Sequence, residues 1–222
     1  MFRTVKYGNL PTYLGAIHDA LQFDLKLTPR ADFIVYRPSR LTTKQAIAGP
    51  AFTCQGTSVS SPKQIKDNIR IDMLDAMYDG CIQVIGGCWA VGVAHYGDIS
   101  AALARSSGAI GCFMDGYTRD ADIIEQMDFP VWGKGTRPED AYGQWQISSY
   151  QCPVDLHLPN RFGTISPGDW VFADGDGVIV VPADALEETI KYALARAANE
   201  DQIREALKTN TPQQVYEQFG RW

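Results

Sequence analysis

Residues 97–120, GDISAALARSSGAIGCFMDGYTRD, constrain the fold most, because they set one helix and one fully apolar strand between two polar ends. Asp98 and Ser100 can cap a helix that starts at Gly97 and Asp98, with Ile99, Ala102, Leu103 and Ala104 on its apolar side. Gly108 can end that helix in the left-handed conformation. Residues 109–114, AIGCFM, then read as a short strand buried on both faces, closed by a turn at Asp115 and Gly116. Ligands of open α/β sheets bind beyond the carboxyl ends of the strands, and a helix start offers free N–H groups to an anion. Gly97, Asp98, Ile99 and Ser100 can therefore meet Arg119 and Asp120 around one small acid. A surface Arg–Asp pair beside an ordinary helix start is the alternative that spacing alone leaves open.

Length and charge narrow what surrounds this stretch. A chain of 222 residues can bury a sizeable single core, read here as residues 11–182, with a helical extension over 183–222. An excess of acidic residues, 26 against 20 basic, argues against a nucleic-acid partner. No apolar run approaches the roughly 20 residues that span a bilayer, and residues 1–6 lack the apolar core of a signal peptide. The expectation is a cytoplasmic protein with no membrane segment. Cys54, Cys81, Cys88, Cys112 and Cys152 form no CxxC pair, and four of them stand in apolar stretches, so buried free thiols are expected. With only His18, His95 and His157 present, any metal should be held by oxygen, hence magnesium or manganese.

The rest of the chain alternates in kind. Residues 11–27 carry Leu14, Ile17, His18, Leu21 and Leu25 at helical spacing, and His18 reads as a packed, hydrogen-bonded side chain. Residues 33–36 suggest a strand, residues 45–56 another with a break at Gly49 and Pro50. Residues 63–78 suggest a helix with Ile65, Ile69, Met73 and Met77 inward. Residues 81–87 are a buried strand, and the β-α-β succession should converge strand ends near Gly86, Gly97 and Arg119. One or two helical turns over 121–127 precede a strand at 129–132. Lys134 sits in a turn that lacks the spacing of a phosphate loop, and residues 144–150 read as an insertion or interface segment. From Cys152 the pattern is β, with a hairpin between 170–173 and 178–181 whose DGDG turn lacks the rest of a calcium loop. Residues 183–209 form a long helix with Leu186, Ile190, Leu194, Ala197, Ile203 and Leu207 in a stripe, part of it expected against a neighbouring subunit. Phe219 and Trp222 would be unusual if left in solvent.

GPAFT at 49–53, the central stretch, DFPVW at 128–132 and PGDWVFADGDGVIVVP at 167–182 together resemble the RraA-like family. That family includes the class II 4-hydroxy-4-methyl-2-oxoglutarate / 4-carboxy-4-hydroxy-2-oxoadipate aldolases. The resemblance implies an α/β swivelling β/β/α sandwich with a long C-terminal helix, assembled as a homotrimer or homohexamer with sites at subunit interfaces. It also implies a lyase dependent on Mg2+ or Mn2+ that cleaves or decarboxylates a pyruvate-type 2-oxo acid. Either reaction leaves a pyruvate enolate, whose charge a divalent ion stabilises. Carried over by motif, Gly97, Asp98, Ile99 and Ser100 would contact the substrate's carboxylate and oxo end. Arg119 would bind the pyruvyl carboxylate, and Asp120 would ligate the metal. Asp98 would reach the metal through water and is the nearest candidate for proton transfer, while Glu200 would come from an adjacent subunit.

The chain departs from the family pattern at one place. The motif continues Arg-Asp-x-x-Glu/Asp, whereas the third position after Asp120 is Ile123. Asp122 stands one residue early and Glu125 two late; if the segment is helical, one residue is about 100° of rotation, so Asp122 does not simply take the missing place. A substrate other than the usual tricarboxylic acids, or decarboxylation, is then expected. Two further readings are a non-catalytic regulator of the ribonuclease E inhibitor type and a metal-dependent 2-oxo acid hydratase or isomerase. The intact Arg119 and Asp120 favour the lyase. A methyltransferase is disfavoured, because no glycine-rich loop joins a strand to a helix with the acidic partner such a site needs.

Overall fold

The computed structural model describes residues 13–28, 34–36, 39–42, 45–64, 67–158 and 161–220. Helix α1 (Leu14–Asp19) runs on into a wider π turn, Ala20–Asp24, and together they bury Leu14, Ile17 and Leu21. His18 is half-buried and lies 3.3 Å from Asp19. Strands β1 (Ile34–Tyr36) and β2 (Ser39–Arg40) lead to β3 (Ile47–Ser58), helix α2 (Asp67–Asp75) and β4 (Ile82–Gly86). Next come β5 (Ala94–Tyr96), α3 (Asp98–Ser106), β6 (Gly111–Met114), β7 (Tyr117–Thr118), α4 (Ala121–Gln126), β8 (Val131–Gly133) and β9 (Gly135–Thr136). The remainder is β10 (Trp145–Tyr150), the hairpins β11 (Val154–Leu158) with β12 (Arg161–Ile165) and β13 (Trp170–Ala173) with β14 (Val178–Val181), then α5 (Leu186–Ala206) and α6 (Pro212–Phe219). Pro11, Phe33, Ile65, Trp222 and residues 1–6 lie outside the described residues.

The main sheet runs β1-β14-β13-β3-β4-β6-β8-β2, with β10 also on β3. Its centre, β3 to β8, is parallel, and β13, β14 and β1 are antiparallel to one side. Strand β3 joins these halves. Residues 47–50 pair with β13, residues 51–55 with β4, and residues 54–58 with β10. The break expected at Gly49 and Pro50 is therefore absent. Ala51 donates its N–H to Asp169 O on the β13 side, so the N–H that Pro50 lacks would face the other side. There, pairing with β4 begins only at Ala51. Gly49 is needed for a different reason, since a Cβ would run into the Gly80 carbonyl.

Residues 144–150 are likewise not an insertion. They form β10, an antiparallel neighbour of β3 with Trp145 buried. The alternation along β4 sends Ile82 and Val84 to one face, where they meet Val154 and Leu156 of β11 and Val171 of β13. Ile85 faces the other way, under Met73, Met77, Ala101 and Ala104. The outer face of β13 and β14 packs Trp170, Phe172, Ile179 and Val181 against α1 and α5. The fold is thus a mixed α/β sandwich with a long C-terminal helix, as expected.

Two helical stripes differ from expectation. In α3 the buried residues are Ala101 and Ala104, and Ile99 is 62% exposed. Asp98 and Ser100 make no capping hydrogen bond, although the helix does start where expected and Gly108 does take a positive φ of 101°. In α5 the buried line is Leu186, Thr189, Ala193, Ala197 and Ile203. Leu194, one residue past Ala193, is 39% exposed, because it stands about 100° off that line; Leu207, 46% exposed, is the C-cap beyond the last helical residue. The five cysteines are free thiols, four of them buried. No helix among the described residues is long and apolar enough to cross a membrane.

Candidate active site

A cleft of about 370 Å³ opens above the carboxyl end of β4, with Gln83 and Ile85 on its floor. One wall is α2 and β10, contributing Arg70, Met73, Leu74 and Ile147. The facing wall is β5, the first turn of α3 and Arg119. Three short parallel strands build this second wall. Tyr96 pairs with Thr118, and Thr118 with Thr136. Arg119 N–H donates to Tyr96 O at 2.8 Å, and the buried Thr118 hydroxyl to the same oxygen at 3.0 Å.

That pairing brings together the two ends of the central stretch. A Cβ on Gly97 would lie 2.8 Å from Asp120 Oδ2 and 3.4 Å from Arg119 Nε, so glycine leaves open the space between them. Asp120 adopts a left-handed backbone (φ 57°) ahead of α4 without capping it. Its carboxylate instead lies 3.4 Å from Arg119 Nε. Arg119 Nη1 pairs with Asp140 at 2.7 Å, which leaves the Nη2 hydrogens for a ligand. Asp98, Ile99 and Ser100 line the cleft, and their N–H groups, the first of α3, have no intrahelical acceptor.

The floor is polar and fixed in orientation. Tyr96 donates its hydroxyl to Gln83 Oε1 at 3.1 Å, and burial pushes that phenol well above its ordinary range, so it remains a donor. Beside it His95 is buried with neither ring nitrogen hydrogen-bonded, its ring edge-on to Trp145 at 4.9 Å. Burial, aided by the charge of Lys134, lowers its pKa to about 4, and the imidazole is neutral at pH 7. Asp115, a turn residue on spacing alone, is fully buried and accepts from the N–H groups of Cys88 and His157, each at 2.9 Å. Burial raises its pKa.

Asp120 stands beside the cleft rather than in its lining, and Lys134 and Ile123 do not line it. Glu200 lies on α5, where it pairs with Arg204 at 2.7 Å and is no part of its own chain's cleft. Sequence reasoning missed Arg70, Gln83, Tyr96, Asp140 and Trp145. Arg70 could have been found three residues before Met73 on the same helical face. Asp140 has no local signal, because a bridge to Ala94 delivers it from a distant loop.

Among the described residues no three His, Cys, Asp or Glu side chains gather as a metal cluster. Asp98 and Asp120 flank the open space at Gly97 and offer only oxygen. A hard cation such as magnesium needs one or two protein carboxylates and takes its other ligands from water and substrate, so this donor set fits it.

Residues 16–180 match the RraA-like family, described as Aldolase/RraA, and the chain belongs to that family. Among curated relatives, protein DlpA of Legionella pneumophila is 26% identical over 183 residues, 81% of this chain. The chain spans only 28% of the length of DlpA. A protein of Halorhodospira halophila named "Putative 4-hydroxy-4-methyl-2-oxoglutarate aldolase" is 33% identical over 130 residues, covering 56% of this chain and 74% of the relative. The crystal structure of Streptomyces coelicolor RraAS2, described as an unusual member of the RNase ES inhibitor RraA family, superposes with a TM-score of 0.68. It is 25% identical and covers 85% of this chain and 90% of that one.

Proposed function

We propose that this chain is a divalent-metal-dependent carbon–carbon lyase acting on a pyruvate-type 2-oxo acid, by retro-aldol cleavage or by decarboxylation. The observation that carries this reading is the convergence of Arg119, the free N–H groups of α3 and the Asp120 carboxylate around Gly97. The aldolase name of the 33% identical relative supports it.

In this reading Arg119 holds the substrate carboxylate with its Nη2 hydrogens, a planar partner for a planar anion. The N–H groups of Asp98, Ile99 and Ser100 face the carboxylate and oxo oxygens and stabilise the negative charge that develops on the oxo oxygen as the bond to C3 breaks. Asp120, and Asp98 through water, would hold Mg2+ or Mn2+. When bound, that ion supplies Lewis acidity toward the oxo and carboxylate oxygens. Asp98, without a capping bond to satisfy, is placed to exchange a proton through a water molecule in the cleft. The assembly proposed is a homotrimer or homohexamer in which Glu200 of one copy serves the neighbour's cleft. With Ile123 where the family motif is acidic, the reaction proposed is on a 2-oxo acid other than the usual tricarboxylic ones, or is a decarboxylation.

The test is product analysis. Pyruvate released from 4-hydroxy-4-methyl-2-oxoglutarate, or carbon dioxide from oxaloacetate, should appear with magnesium and vanish with excess chelator. A hydrated or rearranged product without chain cleavage would contradict the lyase. No turnover on either acid would favour the non-catalytic regulator.

A further inference from the structure

The cleft has a second cation that this chemistry does not use. Arg70 leaves α2 on the same face as Met73 and Leu74, and all three line the wall opposite Arg119. The two arginines differ in their company. Arg119 is matched by Asp120 and Asp140, whereas Arg70 has no hydrogen bond or ion pair among the described residues. Other described arginines are engaged: Arg196 with Asp24, Arg204 with Glu200 and Asp201, and Arg137 over the ring of Tyr117. Arg70 thus presents five donors and a full charge to the cleft with no counter-ion among the described residues.

The sheet order fixes where Arg70 stands relative to the reacting end. Gln83 and Ile85 of β4 form the floor. Helix α2 and β10 rise on the β3 side of that strand, and α3 rises on the β6 side. An acid whose carboxylate is held at Arg119 therefore extends its far end across the floor toward α2. Met73, Leu74 and Ile147 give that side apolar surface and Gln146 is neutral, so Arg70 is the cation there that can pair with an anion.

We propose that Arg70 determines specificity by binding a second carboxylate of the substrate, at the end of the molecule remote from Arg119. This rests on the reading of the cleft as a 2-oxo acid site. Arg70 is exposed, so its contribution is that of a charge-assisted contact open to water, about tenfold in affinity.

Two acids of equal chain length isolate the effect: 2-oxoglutarate, and 2-oxopentanoate, which has a methyl group in place of the far carboxylate. Titration calorimetry with magnesium present should show wild type binding 2-oxoglutarate about tenfold more tightly than 2-oxopentanoate. Arg70→Gln should lose that preference by weakening 2-oxoglutarate alone, and Arg70→Lys should keep part of it. In the cleavage assay on 4-hydroxy-4-methyl-2-oxoglutarate, Arg70→Gln should raise KM about tenfold and leave kcat unchanged. Equal affinity of wild type for the two acids, or an unchanged preference in Arg70→Gln, overturns the proposal. Preference lost with Arg70 in a protein that cleaves nothing supports Arg70 and sinks the lyase reading. Normal cleavage with an indifferent Arg70→Gln does the reverse, and failure of both acids to bind overturns both.

Discussion

The antiparallel and parallel halves of the main sheet share one inner core, yet they end differently. Strands β13 and β14 are joined by a tight turn, and their outer face is filled by α1 and α5. Each parallel strand instead needs a crossover, and the segments leaving β4 and β6 form β5 and β7 before reaching α3 and α4. Those segments pair with one another and set Gly97 beside Arg119 and Asp120. Buried polar side chains follow the same division. Gln83, His95, Asp115 and Thr118 belong to the parallel half, whereas the buried Thr189 on α5 only bonds back to Ala185 O. Topology thus assigns stability mainly to one half and chemistry to the other.

The sharpest way to break this division is to damage the antiparallel half alone. Phe172→Ala removes a fully buried ring packed under α1 and α5 and should cost about 3–5 kcal/mol of stability in urea unfolding. Turnover per folded molecule should not change, since no residue of that core lines the cleft. A proportionate loss of kcat would show that the halves are not separable.

A titration in the parallel half comes next in size. The folded state holds His95 at a pKa of about 4, below its ordinary 6.5. The unfolded chain therefore takes up a proton that the folded one refuses, and stability falls as pH drops from 6.5 toward 4. His95→Leu should remove on the order of 1–2 kcal/mol of the wild-type decline between pH 7 and 5. Asp115 acts with the opposite sign. Its raised pKa makes the folded state bind the proton more readily, so its contribution declines as pH rises from 3.8 through the raised value. Parallel curves for wild type and His95→Leu would contradict the burial argument.

The smallest effect on stability sharpens the contrast most. Gly97→Ala places a methyl group 2.8 Å from Asp120 Oδ2, the movable end of a side chain. Unfolding should shift by less than about 1 kcal/mol, while magnesium-dependent turnover falls because Asp120 is displaced. Unchanged turnover would separate Asp120 from the reaction.

The same division governs what was legible in the sequence. Strands 170–173 and 178–181 and the buried run at 111–114 announce themselves through apolar residues between turn signals, which are local. So is the start of α3 at Asp98. The meeting of Gly97 with Arg119 was legible as well, because one helix and one strand separate them. The pairing of β10 with β3 was not, since nearly ninety residues (145 against 58) lie between the partners. Asp140 reaches the cleft through its bridge to Ala94 and carries no local mark, whereas the only mark of Arg70 is its place three residues before Met73 on α2. Pro50 read as a break because a proline disrupts a strand only on the side its nitrogen faces, and that side depends on which neighbours pair. On α5 the expected stripe holds at Leu186, Ala197 and Ile203, but the small Ala193 is buried where the large Leu194 beside it was expected, because the line of burial depends on what α1 presents to it.

The account stands on Asp120 as the carboxylate that, beside Gly97 and Arg119, serves the metal-dependent step. The direct measurement is magnesium-dependent cleavage by Asp120→Ala, with urea unfolding of the same preparation. Turnover lost by at least about a hundredfold in a protein as stable as wild type within about 1 kcal/mol is the predicted result. Wild-type turnover in that variant, with the same dependence on magnesium, would contradict it.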